Sequence, residues 1–372
     1  MRPDHLRILV AGMVAGVPHH GGATWAVLQW VLGLRQLGHD VLLVEPVDRP
    51  SPETTAYFHA VVRRFGLEGR AALVAGDRHS IGMPFLDLAR AAARTDLVVN
   101  VAGMLRHPEL VEPSPLRLYL DLDPAFTQLW ESDGIDMGVA GHTHFVTVGL
   151  NVGRPDCPVP TGGREWIPTL PPVVLDHWPV GDHVGHPAFT TVASWRGYGS
   201  VEQGGIRHGQ KAHSWRGLAD LPRRTAAPLL PALAIHPEEE KDVALLEEHG
   251  WRWLDPATVT STPDTYRQFI RDSLGELAVA KEGYVVSRSG WFSDRSACYL
   301  AAGRPVVAQE TGWSSHVPAG EGLLAYSSVA EAACALAEVT AEPERHRRAA
   351  RRLAEERFAS DVVLRSLLEE VL

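Results

Sequence analysis

Short β-branched runs alternate with helix-period stretches along almost the whole chain, the pattern of an α/β protein with parallel sheets. Arg7 to Val10 reads as a buried strand that breaks into the loop Gly16-Val17-Pro18-His19-His20-Gly21-Gly22. An amphipathic helix is predicted from about Ala23 to Leu37, with Trp25, Leu28, Val31, Leu32 and Arg35 at helical spacing. Gly38-His39-Asp40 ends it and Val41 to Val44 forms a second strand, so the chain opens with a βαβ unit. A helix over Pro52 to Phe65, a strand near Ala71 to Val74 and a helix over Pro84 to Ala93 continue the alternation. Leu97 to Val101 and Leu116 to Leu120 read as fully buried parallel strands. The latter runs into Asp121-Leu122-Asp123-Pro124. Carboxylates at a strand's carboxyl end stand where α/β proteins bind ligands, although Asp before Pro equally starts a turn.

From His142 to Pro179 the chain is dense in Gly, Pro and Trp, and beyond the strand Phe145 to Val148 it reads as the end of one domain and a linker. His142 and His144 share a strand face, but no third ligand stands nearby and a metal site is not expected. A second series starts with the strand Phe189 to Ala193 and the loop Ser194-Trp195-Arg196-Gly197-Tyr198-Gly199, followed by Lys211. Arg through its planar fork and Lys as a point charge suit a pyrophosphate; a solvated basic loop is the plainer reading. Leu229 to Ile235 gives a strand, with helices over Glu238 to His249 and Tyr266 to Ser273.

The segment Val285 to Trp313 reads as a β-loop-α-β unit: an apolar run ending at Ser287-Arg288-Ser289-Gly290, a helix opened by Ser293 and Asp294, then Pro305 to Ala308 entering Gln309-Glu310-Thr311-Gly312. Both polar loops of such a unit face one crevice, and a helix N-terminus there favours phosphate. Helices over Ser328 to Thr340, Glu342 to Phe358 and Asp361 to Leu372 close the chain. The predicted division is 1–180 plus the terminal helix 359–372, and 181–358.

Length changes this picture little: 372 residues accommodate two domains. A hydrophobic share of 45% and charge of 22% fit a globular protein, and the N-terminal apolar segment is too short and glycine-rich to span a bilayer. The net charge of -10 argues against nucleic acid as a partner while leaving room for a local basic cleft. Cys157, Cys298 and Cys334 lack metal-ligand spacing and read as reduced thiols of a cytoplasmic protein. Gly12, Gly16, Gly21 and Gly22 do not form the dinucleotide fingerprint, so a nicotinamide cofactor is not expected.

Two Rossmann-like halves with a Pro-rich linker and a terminal helix resemble the nucleotide-sugar-dependent GT-B glycosyltransferases of bacteria. The resemblance is carried by Gly21-Gly22 and the helix ending in Leu34-Arg35-Gln36-Leu37-Gly38-His39-Asp40-Val41, by the loop with Arg196 and Lys211, by Ala301-Ala302-Gly303-Arg304-Pro305-Val306-Val307, and by the terminal helix. Arg288-Ser289-Gly290 is also similar to the Arg-Ser-Gly of the lipid-linked peptidoglycan N-acetylglucosaminyltransferases. The family's ribose-binding glutamate is replaced here by Ser296 or Cys298, and the paired glutamates of its retaining members by Gly290 and Cys298.

The resemblance implies two domains facing a cleft, with the terminal helix crossing back to the first. It implies hexosyl transfer from a nucleotide sugar to a small-molecule or glycan hydroxyl, with the nucleotide sugar as co-substrate and no other cofactor; basic side chains and helix N–H groups available for the pyrophosphate, with no Asp-x-Asp motif in the second-domain donor loops, predict that no metal is needed. Arg196, Lys211, Ser289, Gly290 and Ser293 are then assigned to the pyrophosphate, and Asp294, Glu310, Thr311 and Gly312 to ribose or sugar. Gly21 and Gly22 line the acceptor side, His20 or His19 is the base, and Asp121 or Asp123 its partner. A sugar-nucleotide epimerase and a non-catalytic nucleotide-sugar-binding protein are the alternatives on this fold.

Overall fold

The computed structural model describes residues 5–181 and 185–372; the predicted domain boundary adjoins residues 182–184, which lie outside the described residues. The first half is built on eight strands: β1 Arg7–Ala11, β2 Asp40–Pro46, β3 Ala71–Ala75, β4 His79–Gly82, β5 Leu97–Val101, β6 Leu116–Asp121, β7 His144–Thr147 and β8 Trp166–Pro168. Their order is β4-β3-β2-β1-β5-β6-β7-β8, parallel except for the β3–β4 pair. The region expected to be a linker therefore supplies an edge strand, β8, where the proline at its end is tolerated.

The second half carries β9 His186–Thr190, β10 Val192–Ser194, the antiparallel hairpin β11 Val201–Gln203 and β12 Ile206–His208, β13 Ala232–Ala234, β14 Ser273–Ala278, β15 Val306–Gln309 and β16 Leu323–Tyr326. Its parallel sheet runs β16-β15-β14-β9, and β10 extends it by pairing with β13. The strand of the β-loop-α-β unit is β14, and the apolar run before Ser287 is instead a short helix, Glu282–Val286. Gly275 and Glu276 interrupt β14's apolar pattern, which hid it. Gly275 is needed because a Cβ would stand 2.6 Å from the Pro305 carbonyl oxygen, and Glu276 is buried because it pairs with Arg295.

The first helix, Gly21–Gln36, joins the two halves. Its spacing predicts an amphipathic helix, and Thr24, Trp25, Val27, Leu28, Gln29, Trp30, Val31, Leu32, Gly33 and Leu34 are all buried. One face lies on the first sheet; others meet the helices Pro263–Asp272, Asp294–Ala301 and Ser360–Val371. A helix covered all round is a core helix, and here the core includes the other half. Gly33 lets Leu364 and Ser360 of the terminal helix come within 2.6 and 2.8 Å of where a Cβ would stand, so that helix does cross back to the first half. Trp25 Nε1 donates to the Pro263 carbonyl at 2.8 Å, and Gln29 donates to Cys298 Sγ at 3.5 Å and accepts from the Val174 N–H at 2.8 Å.

Candidate functional site

The carboxyl ends of β10, β13 and β14 and the loop before the first helix enclose a cavity of 510 Å³ between the halves. Pro18, His19, His20 and Gly22 line it from one side and Lys211, Lys281, Asp294 and Arg295 from the other. Lys211 opens the helix Lys211–Gly217, and its ammonium has no hydrogen-bond partner among the described residues. Burial, and then the charges of Arg295 and Lys281, push its pKa down to about 7, against the opposing pull of Asp294 and Glu276. Burial likewise raises the Asp294 carboxyl above its ordinary range, with Arg295 and Lys211 pulling it back. The Lys211 ammonium is thus left without a contacting counter-charge, a state that a bound anion would relieve.

Arg295 is 7% exposed. Its Nε donates to Glu276 Oε1 and its Nη1 to the Val192 carbonyl at 3.0 Å, while Nη2 is buried without a partner. Glu276 is fully buried and also accepts from Thr191 Oγ1 at 3.2 Å. Removing either charge would strand the other in the interior, at a cost of about 3–5 kcal/mol.

Asp123, at the end of β6, ties the halves together beside the cavity. Lys281 Nζ donates to its two oxygens at 2.9 and 3.0 Å, and the hydroxyls of Tyr198 and Tyr284 donate to the same carboxylate. The ammonium stands 5.0, 4.3 and 5.2 Å from the ring centres of Phe126, Tyr198 and Tyr284. Burial, then the charge of Asp123, raises both phenols, which stay protonated as donors.

The structure brings His19, His20, Gly22, Lys211 and Asp294 to one cavity and distributes the other sequence-assigned residues elsewhere. His19, at φ 63°, faces Glu53 at 3.0 Å and meets the Tyr57 ring edge-on. His20 is exposed, and its ring has no partner among the described residues. Gly21 and Gly22 approach the second half rather than a ligand: a Cβ on Gly21 would stand 2.2 Å from the Thr262 carbonyl oxygen, and one on Gly22 2.8 Å from the Tyr266 ring. Asp121 does not orient His20. It is fully buried, accepts from Thr127 and Thr147 at 2.7 Å, Gln128 at 2.8 Å and the Asp123 N–H at 2.9 Å, and holds the β6–β7 end together. Asp123 is likewise committed to Lys281.

Arg196 lies in a neighbouring depression, paired with Glu239. Ser289, Gly290, Thr311 and Gly312 form a seam with the first half: the Asn151 N–H donates to the Ser289 carbonyl at 3.0 Å, and Gly290 and Gly312 leave room for Asn151. Thr311 Oγ1 donates to the Trp291 carbonyl at 2.7 Å, and Glu310 accepts from the Gly312 N–H. Ser293 is buried at the N-cap of the helix Asp294–Ala301, its hydroxyl making no cap bond. The two polar loops do face the other half as expected, but Gly149–Asn151 fill that part of the cleft.

Sequence reading missed Arg295, Lys281, Tyr198 and Tyr284. Arg295 had a signal: a cation in the first turn of a helix opposes the helix dipole and calls for a negative partner. Lys281 had one only if β14 was placed correctly, since it then follows a strand's carboxyl end.

No protein-family model matches the chain, and no curated protein does. Solved structures do. An alpha-glucosyltransferase in complex with UDP-glucose and DNA containing an abasic site is 12% identical, with a TM-score of 0.59 and 99% of each chain covered. AviGT4, a glycosyltransferase involved in avilamycin A biosynthesis, is 14% identical with a TM-score of 0.57, covering 98% of this chain and 97% of its own. Anabaena HepE in complex with UDP and glucose is 10% identical with a TM-score of 0.59, over 98% and 99%. The chain has the GT-B fold.

The same comparison corrects one expectation. Structures of this fold are solved in complex with DNA, so a net charge of -10 does not exclude nucleic acid as a partner. Net charge averages over a surface, whereas binding depends on the local field of a cleft. Among the described residues, no helix is long and apolar enough to cross a membrane.

Proposed function

We propose that this protein is a glycosyltransferase that moves a hexosyl unit from a nucleotide sugar to an acceptor hydroxyl, without a divalent metal. The observation that carries the reading is Lys211: an unpaired, half-buried ammonium in a cavity between the halves of a GT-B fold. Several neighbours of this fold were solved with UDP or UDP-glucose bound.

In this reading, residues 181–358 hold the donor, with its diphosphate at Lys211 and Asp294 beside its ribose or sugar. Residues 1–180, with 359–372, take the acceptor. A depression of 1230 Å³ at the carboxyl ends of β2, β3 and β5 supports this, because Met13 and Gly16 line it from the same loop whose Pro18–His20 line the donor cavity. Transfer breaks the bond between the sugar's anomeric carbon and the diphosphate oxygen and forms one to the acceptor oxygen. Lys211 stabilises the charge that develops on the diphosphate, and His20 takes the acceptor proton. The three separate thiols support a cytoplasmic setting.

Asp294 and Asp255 in the same cavity keep an epimerase as the second reading. Incubation with nucleotide sugars, alone and with hydroxylated acceptors that include nucleic acid, separates the two. The transferase reading expects a glycosylated acceptor and nucleoside diphosphate; an isomerised nucleotide sugar formed without acceptor would replace it with the epimerase.

A further inference from the structure

Arg295 has a donor that the protein does not use. Its Nε and Nη1 are spent on Glu276 and the Val192 carbonyl, while Nη2, with two N–H groups, is buried without a partner among the described residues. Orphaned buried donors cost stability and persist where something else satisfies them. Arg295 lines the same cavity as Lys211, and its charge is the first among those that depress the Lys211 ammonium. It also sits at the second position of the helix Asp294–Ala301, against the helix dipole, so helix stability does not account for it.

We propose that Arg295 is a second phosphate-binding residue: its Nη2 edge donates to the diphosphate of the nucleotide sugar, and Glu276 is the positioning residue that holds the guanidinium in place. The inference rests on the reading of this cavity as a diphosphate site. Glu276 Oε1 fixes the Nε side of the fork and the Val192 carbonyl fixes Nη1, so the orientation of the guanidinium is set before a ligand arrives, while Nη2 and the neighbouring Glu276 Oε2 are both buried without a partner among the described residues. Guanidinium forks suit phosphate oxygens, and a fixed fork loses little entropy on binding. Glu276 lies in the middle of β14 and is fully buried, which gives the arrangement a rigid base. The diphosphate would then meet Lys211 from one side and Arg295 from the other. Arg196, the arginine that sequence favours for this task, is held by Glu239 outside the cavity.

The test compares a nucleoside diphosphate with its own nucleoside, using whichever of UDP, GDP and dTDP binds the wild-type chain most tightly. Arg295→Lys retains a charge for Glu276 but lacks the free edge. The double variant Arg295→Met with Glu276→Met removes the buried pair together, which avoids an isolated buried charge. Both should remain folded by circular dichroism, lose about tenfold or more in diphosphate affinity and leave nucleoside affinity unchanged. Undiminished diphosphate affinity in both folded variants, or an equal loss for diphosphate and nucleoside, would overturn the inference. If Lys211→Ala loses affinity while the Arg295 variants do not, the inference fails alone. If the wild-type chain binds no nucleoside diphosphate, the reading of the cavity fails with it.

Discussion

Lys281 Nζ lies 2.9 and 3.0 Å from the two carboxylate oxygens of Asp123, and the pair joins the two halves of the molecule beside the cavity. Among the described residues, every side chain that donates to Asp123 comes from the second half: Lys281, Tyr198 and Tyr284. Asp123 is therefore a tie across the cleft and not the partner of a histidine base. Asp123→Ala should let the halves separate, raising the radius of gyration in solution scattering and costing about 1–3 kcal/mol for the lost charge-assisted bonds. Asp121→Ala provides the contrast. It strands donors inside the first half, so it should lower the melting temperature further without enlarging the molecule. Equal radii for wild type and Asp123→Ala would reduce the pair to a local contact.

His20 and His19 differ in commitment although they are adjacent. His19 is engaged with Glu53 and Tyr57, whereas the His20 ring is free of side-chain partners among the described residues and exposed at the cavity. His20→Ala is expected to lower single-turnover transfer by about 10² to 10⁴ with nucleotide affinity retained, and His19→Ala to change the rate little. Near-wild-type rates in both variants would remove histidine from the proton transfer.

The position of the Lys211 pKa, at about 7, gives the donor site a pH dependence with a definite sign. A bound pyrophosphate raises that pKa, so binding takes up a proton wherever the free ammonium has begun to lose one. Nucleotide-sugar affinity should be greatest below about pH 7 and fall as pH rises above it. Lys211→Met should flatten the profile. The same shift makes Lys211 a cost to folding that is full below pH 7 and fades as pH rises through that value towards the ordinary lysine range. Calorimetry in buffers of different ionisation enthalpy measures the proton uptake directly; none above neutrality would refute the assignment.

The alternation of strands and helices was legible because the buried strands of the first half are mostly apolar: Leu97–Val101, apolar except for Asn100, was predicted with its observed ends. β14 was not, because its glycine and glutamate answer to neighbours far along the chain, the Pro305 carbonyl and Arg295. The first helix was found but its environment was not, since nothing in its local pattern reveals that the terminal helix packs on Gly33. Of the residues that line the cavity, His20 was singled out in the sequence from its loop after the first strand and Lys211 from the basic loop that it follows. Arg196 and Asp121 had the right chemistry and the right place in the chain, but their carboxylate and hydroxyl partners, Glu239 for one and Thr127 and Thr147 for the other, occupy them. Side-chain competition of that kind is decided by tertiary contact and is invisible to spacing.

Whether the cavity around Lys211 binds the diphosphate of a nucleotide sugar is decided by calorimetric titration of UDP, GDP and dTDP into the wild-type and Lys211→Ala chains in the presence of EDTA. At least one of them should bind the wild-type chain without metal, and Lys211→Ala should weaken that binding by about 1.5–3 kcal/mol, the value of a charge-assisted contact. Binding that EDTA abolishes, or that Lys211→Ala leaves unchanged, would contradict this assignment of the cavity.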